Sequence, residues 1–315
     1  MIFLYIIGLF VACVILVLSG SLIIKTLARI AAYLKLSDFV IGFMVMALAT
    51  SVPELFVGLN SAFARAPTLS LGDIIGSNII DLTLVIGLVA ILARGIQIKG
   101  KIAIGDTYLA MVIAILPILL MLDHHLSRAD SVVLLLAFSF YTLRLFRQRK
   151  RFKKIFDHVT KKDLFKNVFL FVIGVVLLLG SAKFIVSFGA ALAIGLGVPL
   201  IFIGIAFLAV GTSLPELVFE VKAVLAGREG MALGDLLGSV VTNSTLVLGL
   251  VGLICPFYIT DFLLFGIGSI FLTVALVLFT FLLRTKDKLS WKEGMILIMI
   301  YVIFMMVELS VKGVS

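Results

Sequence analysis

The stretch Ala47 to Glu54 reads ALATSVPE and sets Thr50, Ser51, a proline and a carboxylate inside an otherwise apolar run. It occurs twice, because Ala209 to Glu216 read AVGTSLPE. The two copies align without a gap from Gly42 to Leu88 against Gly204 to Leu250, at a constant offset of 162 and with 18 of 47 positions identical. A second motif lies in the same alignment, LGDIIGSNIID at Leu71 to Asp81 against LGDLLGSVVTN at Leu233 to Asn243. The chain is therefore built on a duplicated unit whose polar chemistry recurs at matching places.

Around these motifs the sequence is that of an integral membrane protein: 63% hydrophobic, 14% charged and with a mean hydropathy of +1.30, beyond the range of soluble domains. A helical span needs about 20 mostly apolar residues. Cutting at charged or Gly/Pro-rich breaks gives ten, at 2–24, 38–63, 70–93, 104–122, 130–146, 166–187, 198–225, 232–254, 262–283 and 293–311. The first lacks a positive leader and a small-residue cleavage site, and is read as a retained helix.

The net charge of +9 does not call for a nucleic-acid partner, since Lys and Arg follow the loops in strict alternation, as the positive-inside rule requires. With the central connection inside, 22 of the 26 basic residues fall on the cytoplasmic side, leaving Arg65, Arg128, Lys183 and Lys312 outside. Both termini then face outward. Five spans per half make the helix of Glu54 run outward and that of Glu216 inward, so the repeats are inverted. The expected fold is an all-α membrane protein of ten transmembrane helices in two inverted five-helix repeats, 1–146 and 164–315, joined by a basic cytoplasmic linker, 147–163. That linker fixes orientation or touches anionic headgroups of the lipid bilayer. Inverted repeats with interrupted helices point to alternating access around a midplane site.

Cys13 and Cys255 have no metal or redox spacing and are read as packing residues; His124 and His125 are read as solvated on an outer turn. The chemistry starts at Pro53 and Pro215, each of which lacks an N–H and frees the carbonyl four residues earlier, on Ala49 and Gly211. Such carbonyls at membrane depth are hard oxygen ligands in a protein-lined cavity. Thr50, Ser51, Thr212 and Ser213 add hydroxyls, and Glu54 and Glu216 add acids that are costly in hydrocarbon without a cation or proton. Ser77 and Asp81 share a helix face, with Ser239 and Asn243 as counterparts; Gly76 and Gly238 also read as close-packing points. Asp73 and Asp235 are read as rim or capping residues in preference to ligands.

All the gathered donors are oxygen, which excludes thiophilic metals and suits calcium or sodium. Three carboxylates, Glu54, Asp81 and Glu216, carry a formal charge of −3 that one Ca²⁺ leaves at −1 and several Na⁺ neutralise, so the two ions compete for shared ligands.

The paired (A/G)TS(V/L)PE and GDxxGS motifs resemble the alpha repeats of the cation/calcium antiporter superfamily, specifically its sodium/calcium exchangers, over essentially the whole chain. The resemblance implies an antiporter, not an enzyme, in which sodium entry drives calcium out, with no cofactor beyond the transported Na⁺ and Ca²⁺. It assigns ion contacts to Thr50, Ser51, Glu54, Ser77, Asp81, Thr212, Ser213, Glu216, Ser239 and Asn243, and to carbonyls near Ala47 and Ala209. The short linker resembles prokaryotic members and implies a cell membrane. Two departures stand out: Val240 replaces the Asn of GSN, and Asp81 stands where Asn is common. Asn243 resembles the potassium-independent branch. Proton-coupled antiporters on the same fold are the alternative, though they usually carry GNxxE helices in place of TSxPE.

Overall fold

A computed structural model describes residues 2–34, 38–65, 67–97, 101–148, 161–195, 213–259, 262–286 and 288–312. Its helices are α1 (Ile2–Leu34), α2 (Asp38–Thr50), α3 (Val52–Phe63), α4 (Pro67–Leu92), α5 (Lys101–Leu120), α6 (Arg128–Gln148), α7 (Lys161–Gly195), α8 (Leu214–Leu225), α9 (Glu229–Ile254), α10 (Phe262–Lys286) and α11 (Trp291–Lys312). Among the described residues six helices are long and apolar enough to cross a membrane, or seven when α2 and α3 count as one bent span. Apolar side chains cover the outside, as Phe140 on α6, Val176 on α7 and Met306 on α11 illustrate with 58%, 64% and 63% exposure. Polar side chains turn inward instead, onto α2, α3, α4, α8 and α9, the inversion that a hydrocarbon solvent dictates.

Helices α1 and α7 outrun their expected spans, to Leu34 and from Lys161 to Gly195, because a helix satisfies its own backbone and need not end at the apolar boundary. The break at the first motif is sharp: α2 and α3 meet at 46°. Ser51, at φ −75° and ψ 5°, leaves helical geometry, and Pro53 enters α3 in its first turn, where a missing N–H costs least. Ser51 N donates to Ala47 O and Leu55 N to Ser51 O, both at 3.0 Å. Regular bonding thus resumes on either side of Pro53, whose own missing N–H leaves the Ala49 carbonyl without its helical donor. Gly211 lies outside the described residues.

Among the described residues three motif helices also contain π-wound turns, at Gly42–Ala47 in α2, Asp81–Val85 in α4 and Thr242–Val247 in α9. Such turns carry one residue extra and are common at functional sites. Two glycines bring α9 against α2: a Cβ on Gly234 would stand 2.2 Å from Phe39 O, and one on Gly238 2.4 Å from Ala47 Cβ. The close-packing role expected of Gly238 is met, whereas that of Gly76 is not, since a Cβ there would meet nothing within 4 Å.

Among the described residues four short strands tie loop to loop. β1 (Ile96–Gln97) pairs antiparallel with β4 (Lys288–Leu289), and β2 (His125–Leu126) with β3 (Phe257–Tyr258). Capping boxes follow β2 and β4: Ser127 N and Oγ donate to Asp130 Oδ2 at 2.9 and 2.6 Å, and Ser290 N and Oγ to Glu293 Oε2 at 2.7 and 2.8 Å, starting α6 and α11. The outer histidines lie at the surface as expected, His124 exposed and His125 half-buried. His124 stacks on Phe262 at 3.7 Å and His125 on Tyr258 at 4.3 Å, because the β2–β3 ribbon holds the turn beside an aromatic surface. Cys255 is a half-buried free thiol, while the side chain of Cys13 is outside the described set.

Candidate ion-binding site

The broken helix pair α2/α3, the first turn of α8 and the middles of α4 and α9 converge on one buried polar centre. Thr50, at the end of α2, is fully buried; its Oγ1 donates to Asp235 Oδ1 at 3.3 Å and lies 3.3 Å from Ser239 Oγ. Both partners sit on α9, brought near by the Gly234 and Gly238 approach. Ser77 Oγ on α4 donates to its own Asp73 carbonyl at 2.6 Å, keeping its lone pairs available. Asn243 Nδ2 lies 3.4 Å from Asn78 Oδ1, and Asn78 Nδ2 donates to Ser244 Oγ at 2.9 Å. The amide hydrogens of Asn243 are thereby turned to α4 and its Oδ1 is left bare.

Bare oxygens are the defining feature of this centre. Among the described residues Ser51 Oγ, Glu54 Oε2, Asp81 Oδ1, Ser213 Oγ, Glu216 Oε2 and Asn243 Oδ1 are buried without a partner in good hydrogen-bond geometry, the Ser213 hydroxyl facing the Asp81 carboxylate, and none of the six residues exceeds 2% exposure. An orphaned buried polar atom is expensive, at about 1–3 kcal/mol and more for a charged group. Six together, each able to accept and every carboxylate able to carry charge, fit a hard cation. Glu216 lies within electrostatic reach of Glu54, Asp81 and Asp235, and Glu54 of Asp73 and Asp81. The field of each acid is thus felt by the others, the condition under which a cation is held by several at once.

Of the expected ligands, Ala209 and Thr212 lie outside the described residues. The Ala47 carbonyl is buried at the helix break but already accepts from Ser51 N at 3.0 Å and Thr50 Oγ1 at 3.4 Å. Among the described residues no three His, Cys, Asp or Glu side chains are spaced as a carboxylate-only metal centre, so hydroxyl, amide and carbonyl oxygens have to complete any coordination shell. The rim reading of Asp235 does not hold: it is 0% exposed and sits inside the polar centre, on Thr50. Asp73 is half-buried with Oδ2 unpartnered. Two further residues were not among the expected ligands, Asn78 of the GSN motif and Glu220 outside the motifs. Asn78 orients Asn243, and Glu220 is buried one turn beyond Glu216.

An apolar helical shell around a cluster of bare hard oxygens at a helix break defines a polytopic membrane protein with a polar interior. The family model described as "Sodium/calcium exchanger protein" matches residues 4–147 and 166–309, and the chain belongs to that family. It is 28% identical to the sodium/calcium exchanger MaX1 of Methanosarcina acetivorans, over 93% of this chain and 95% of that one. It is 33% identical to the membrane protein MJ0091 of Methanocaldococcus jannaschii, over 67% of this chain and 69% of that one. The fold matches a structure of the sodium-calcium exchanger NCX_Mj with a TM-score of 0.84 and 26% identity, covering 96% of this chain and 98% of the other.

Proposed function

We propose that this protein exchanges Na⁺ for Ca²⁺ across a cell membrane by alternating access, with both ions competing for one all-oxygen site near the bilayer midplane. The ligands are Thr50, Ser51, Glu54, Ser77, Asp81, Thr212, Ser213, Glu216, Ser239 and Asn243, with the carbonyls near Ala47 and Ala209. The observation that carries this reading is the set of bare buried oxygens, which falls into repeat-related pairs: Ser51 with Ser213, Glu54 with Glu216, and Asp81 with Asn243. A site drawn equally from two halves opens to either face when one half rocks against the other.

Ten spans in two inverted five-helix repeats, 1–146 and 164–315, give the architecture of the proposal. The two family matches start at residues 4 and 166, a difference of 166 − 4 = 162, which is the offset of the motifs. The strand pairs support it too. Ile96 pairs with Leu289 and Leu126 with Phe257; 257 − 96 = 161 and 289 − 126 = 163, so each ribbon is the repeat image of the other. The basic linker, 147–163, then faces the cytoplasm and both termini the outside.

The test is calcium uptake into proteoliposomes driven by a sodium gradient at equal pH on both faces. Uptake with sodium and none with a pH gradient alone is the expected result. Uptake driven by the pH gradient without sodium would assign the chain to calcium/proton exchange instead. In intact vesicles of known orientation, a cysteine between residues 148 and 162 is expected to label only from the cytoplasmic face and one at Ser127 only from outside. Same-face labelling removes the inverted repeat.

A further inference from the structure

The second half holds an acid that the exchange site does not use. Glu220 follows Glu216 by one turn of α8, which stacks the two on one helix face. It is 0% exposed, and both of its carboxylate oxygens are buried with no hydrogen-bond partner. Helix α9 packs on α8 and carries Asp235, equally buried, with Oδ1 held by Thr50 and Oδ2 bare. The charges that reach Glu220 are those of Asp235 and Asp81. Lys222, two residues on, turns to α1 instead, its Cγ lying 3.6 Å from where a Cβ on Gly20 would be. A carboxylate with two bare oxygens in a dry interior is costly without a cation.

The internal repeat sets this acid apart. Its counterpart is residue 220 − 162 = 58, a glycine, and a Cβ there would stand 2.9 Å from Val247 Cγ1 and 3.0 Å from Val251 Cγ2. One half is closed by valine methyls at the place where the other presents an acid.

We propose that Glu220 and Asp235 form a second cation position, selective for calcium-type hard divalent ions, one helical turn to the cytoplasmic side of the exchange site. Two carboxylates match the charge of one divalent ion. A position with two acids and few fixed ligands holds calcium weakly, as a waiting place must if the ion is to move on to Glu216 and Asp81. The cytoplasmic placement rests on the proposed orientation, in which α8 runs inward past residue 216 and α9 runs outward from residue 235 to residue 243.

The experiment is equilibrium binding of calcium, without sodium, to the purified full chain, beside sodium-driven calcium flux in proteoliposomes. The unsubstituted protein is expected to show a tight and a weak class of bound calcium. Glu220→Gln, nearly isosteric, loses the weak class and raises the calcium needed for half-maximal flux from the cytoplasmic face by about tenfold. Glu220→Asp keeps the charge and most of the weak class, which separates charge from packing. Unchanged binding in monodisperse Glu220→Gln protein with flux intact overturns the inference. So does loss of both classes, which would make Glu220 part of the exchange site itself. Absence of sodium-driven flux in the unsubstituted protein sinks the exchange reading instead, while the binding comparison still decides this one.

Discussion

The two halves carry the same motifs but distribute their acids differently. The first puts Asp81 at the centre, with Gly58 and the half-buried Asp73 beyond it; the second puts Asn243 at the centre, with Glu220 and the fully buried Asp235 beyond it. Repeat-related helices α3 and α8 therefore share a serine cap with proline in the first turn while the formal charge sits centrally in one half and to one side in the other. The helix starts are set by backbone geometry in both copies, whereas the charge needs only to sum correctly over the shared polar centre. Symmetry holds where geometry is set, and is relaxed where only electrostatics is.

The feature common to both halves gives the largest expected effect. Glu54→Gln and Glu216→Gln each remove a buried acid with a bare oxygen, and each is expected to reduce sodium-driven calcium flux to background while the protein still inserts and elutes as a single species. Substantial flux in either variant would mean that the acids are structural and the paired-ligand reading fails.

Next in size is a contact that only the second half displays among the described residues. Gly234→Ala forces a methyl against the Phe39 carbonyl, 2.2 Å from the new Cβ, and moves α9 away from Thr50. Overpacking of this kind costs about 1–3 kcal/mol. Thermal unfolding of the detergent-solubilised variant is expected several degrees lower, with calcium affinity falling alongside it because the Thr50–Asp235 contact opens. An unshifted transition would show that α2 yields without cost.

Much of this was legible in the sequence, because a proline and an acid inside an apolar run leave few alternatives once they occur twice. The residues with bare oxygens at Ser51, Glu54, Asp81, Ser213, Glu216 and Asn243 were all legible from the motifs. Asp235 was not, since its place eight residues before Asn243 suggests a span end; what buries it is the close approach of α2, which depends on the absence of side chains at Gly234 and Gly238 and is a property of two helices together. The four-residue glycine spacing was the available signal. Glu220 was hidden for the opposite reason, because aligning the repeats draws attention to identities and passes over a Glu opposite a Gly. The π-turns add one residue to a helical ring and leave no compositional trace. The capping boxes at Ser127 and Ser290 were readable as S-x-x-D and S-x-x-E, and their matching places strengthen the duplication.

Moving the central charge from one half to the other probes the comparison directly. Asp81→Asn leaves Glu54 and Glu216 at formally −2, which still matches Ca²⁺ but leaves several Na⁺ in excess. A unit charge at about 4 Å is worth roughly 4 kcal/mol at an effective dielectric of 20, an upper figure for a cavity that admits water. Sodium dependence of flux is expected to weaken more than equilibrium calcium binding, and adding Asn243→Asp is expected to restore part of it. Retained sodium dependence in the single variant would remove Asp81 from the shared site.

The smallest effect expected belongs to an ion pair that breaks the symmetry outside the cavity. Arg228 Nη1, in the turn before α9, reaches Asp38 Oδ1 at 3.2 Å and Oδ2 at 3.3 Å at the start of α2. The repeat counterparts are 38 + 162 = 200, a leucine, and 228 − 162 = 66, an alanine, so no such pair is encoded on the opposite face. In the proposed orientation this bond ties the two halves together at the cytoplasmic face, favouring closure there. The side chains are 29% and 19% exposed, and an accessible pair contributes at most about 1 kcal/mol, which corresponds to roughly fivefold in an equilibrium. Asp38→Asn is therefore expected to lower the calcium needed for half-maximal flux from the cytoplasmic face and raise it from the outside, by less than about fivefold in each direction. High salt should shrink the difference, since a partly exposed pair is screened, and Arg228→Gln added to Asp38→Asn should change nothing further. Equal weakening from both faces would mark the pair as a fold contact with no bearing on which face opens, and the asymmetry between the halves would then be confined to the acids of the cavity.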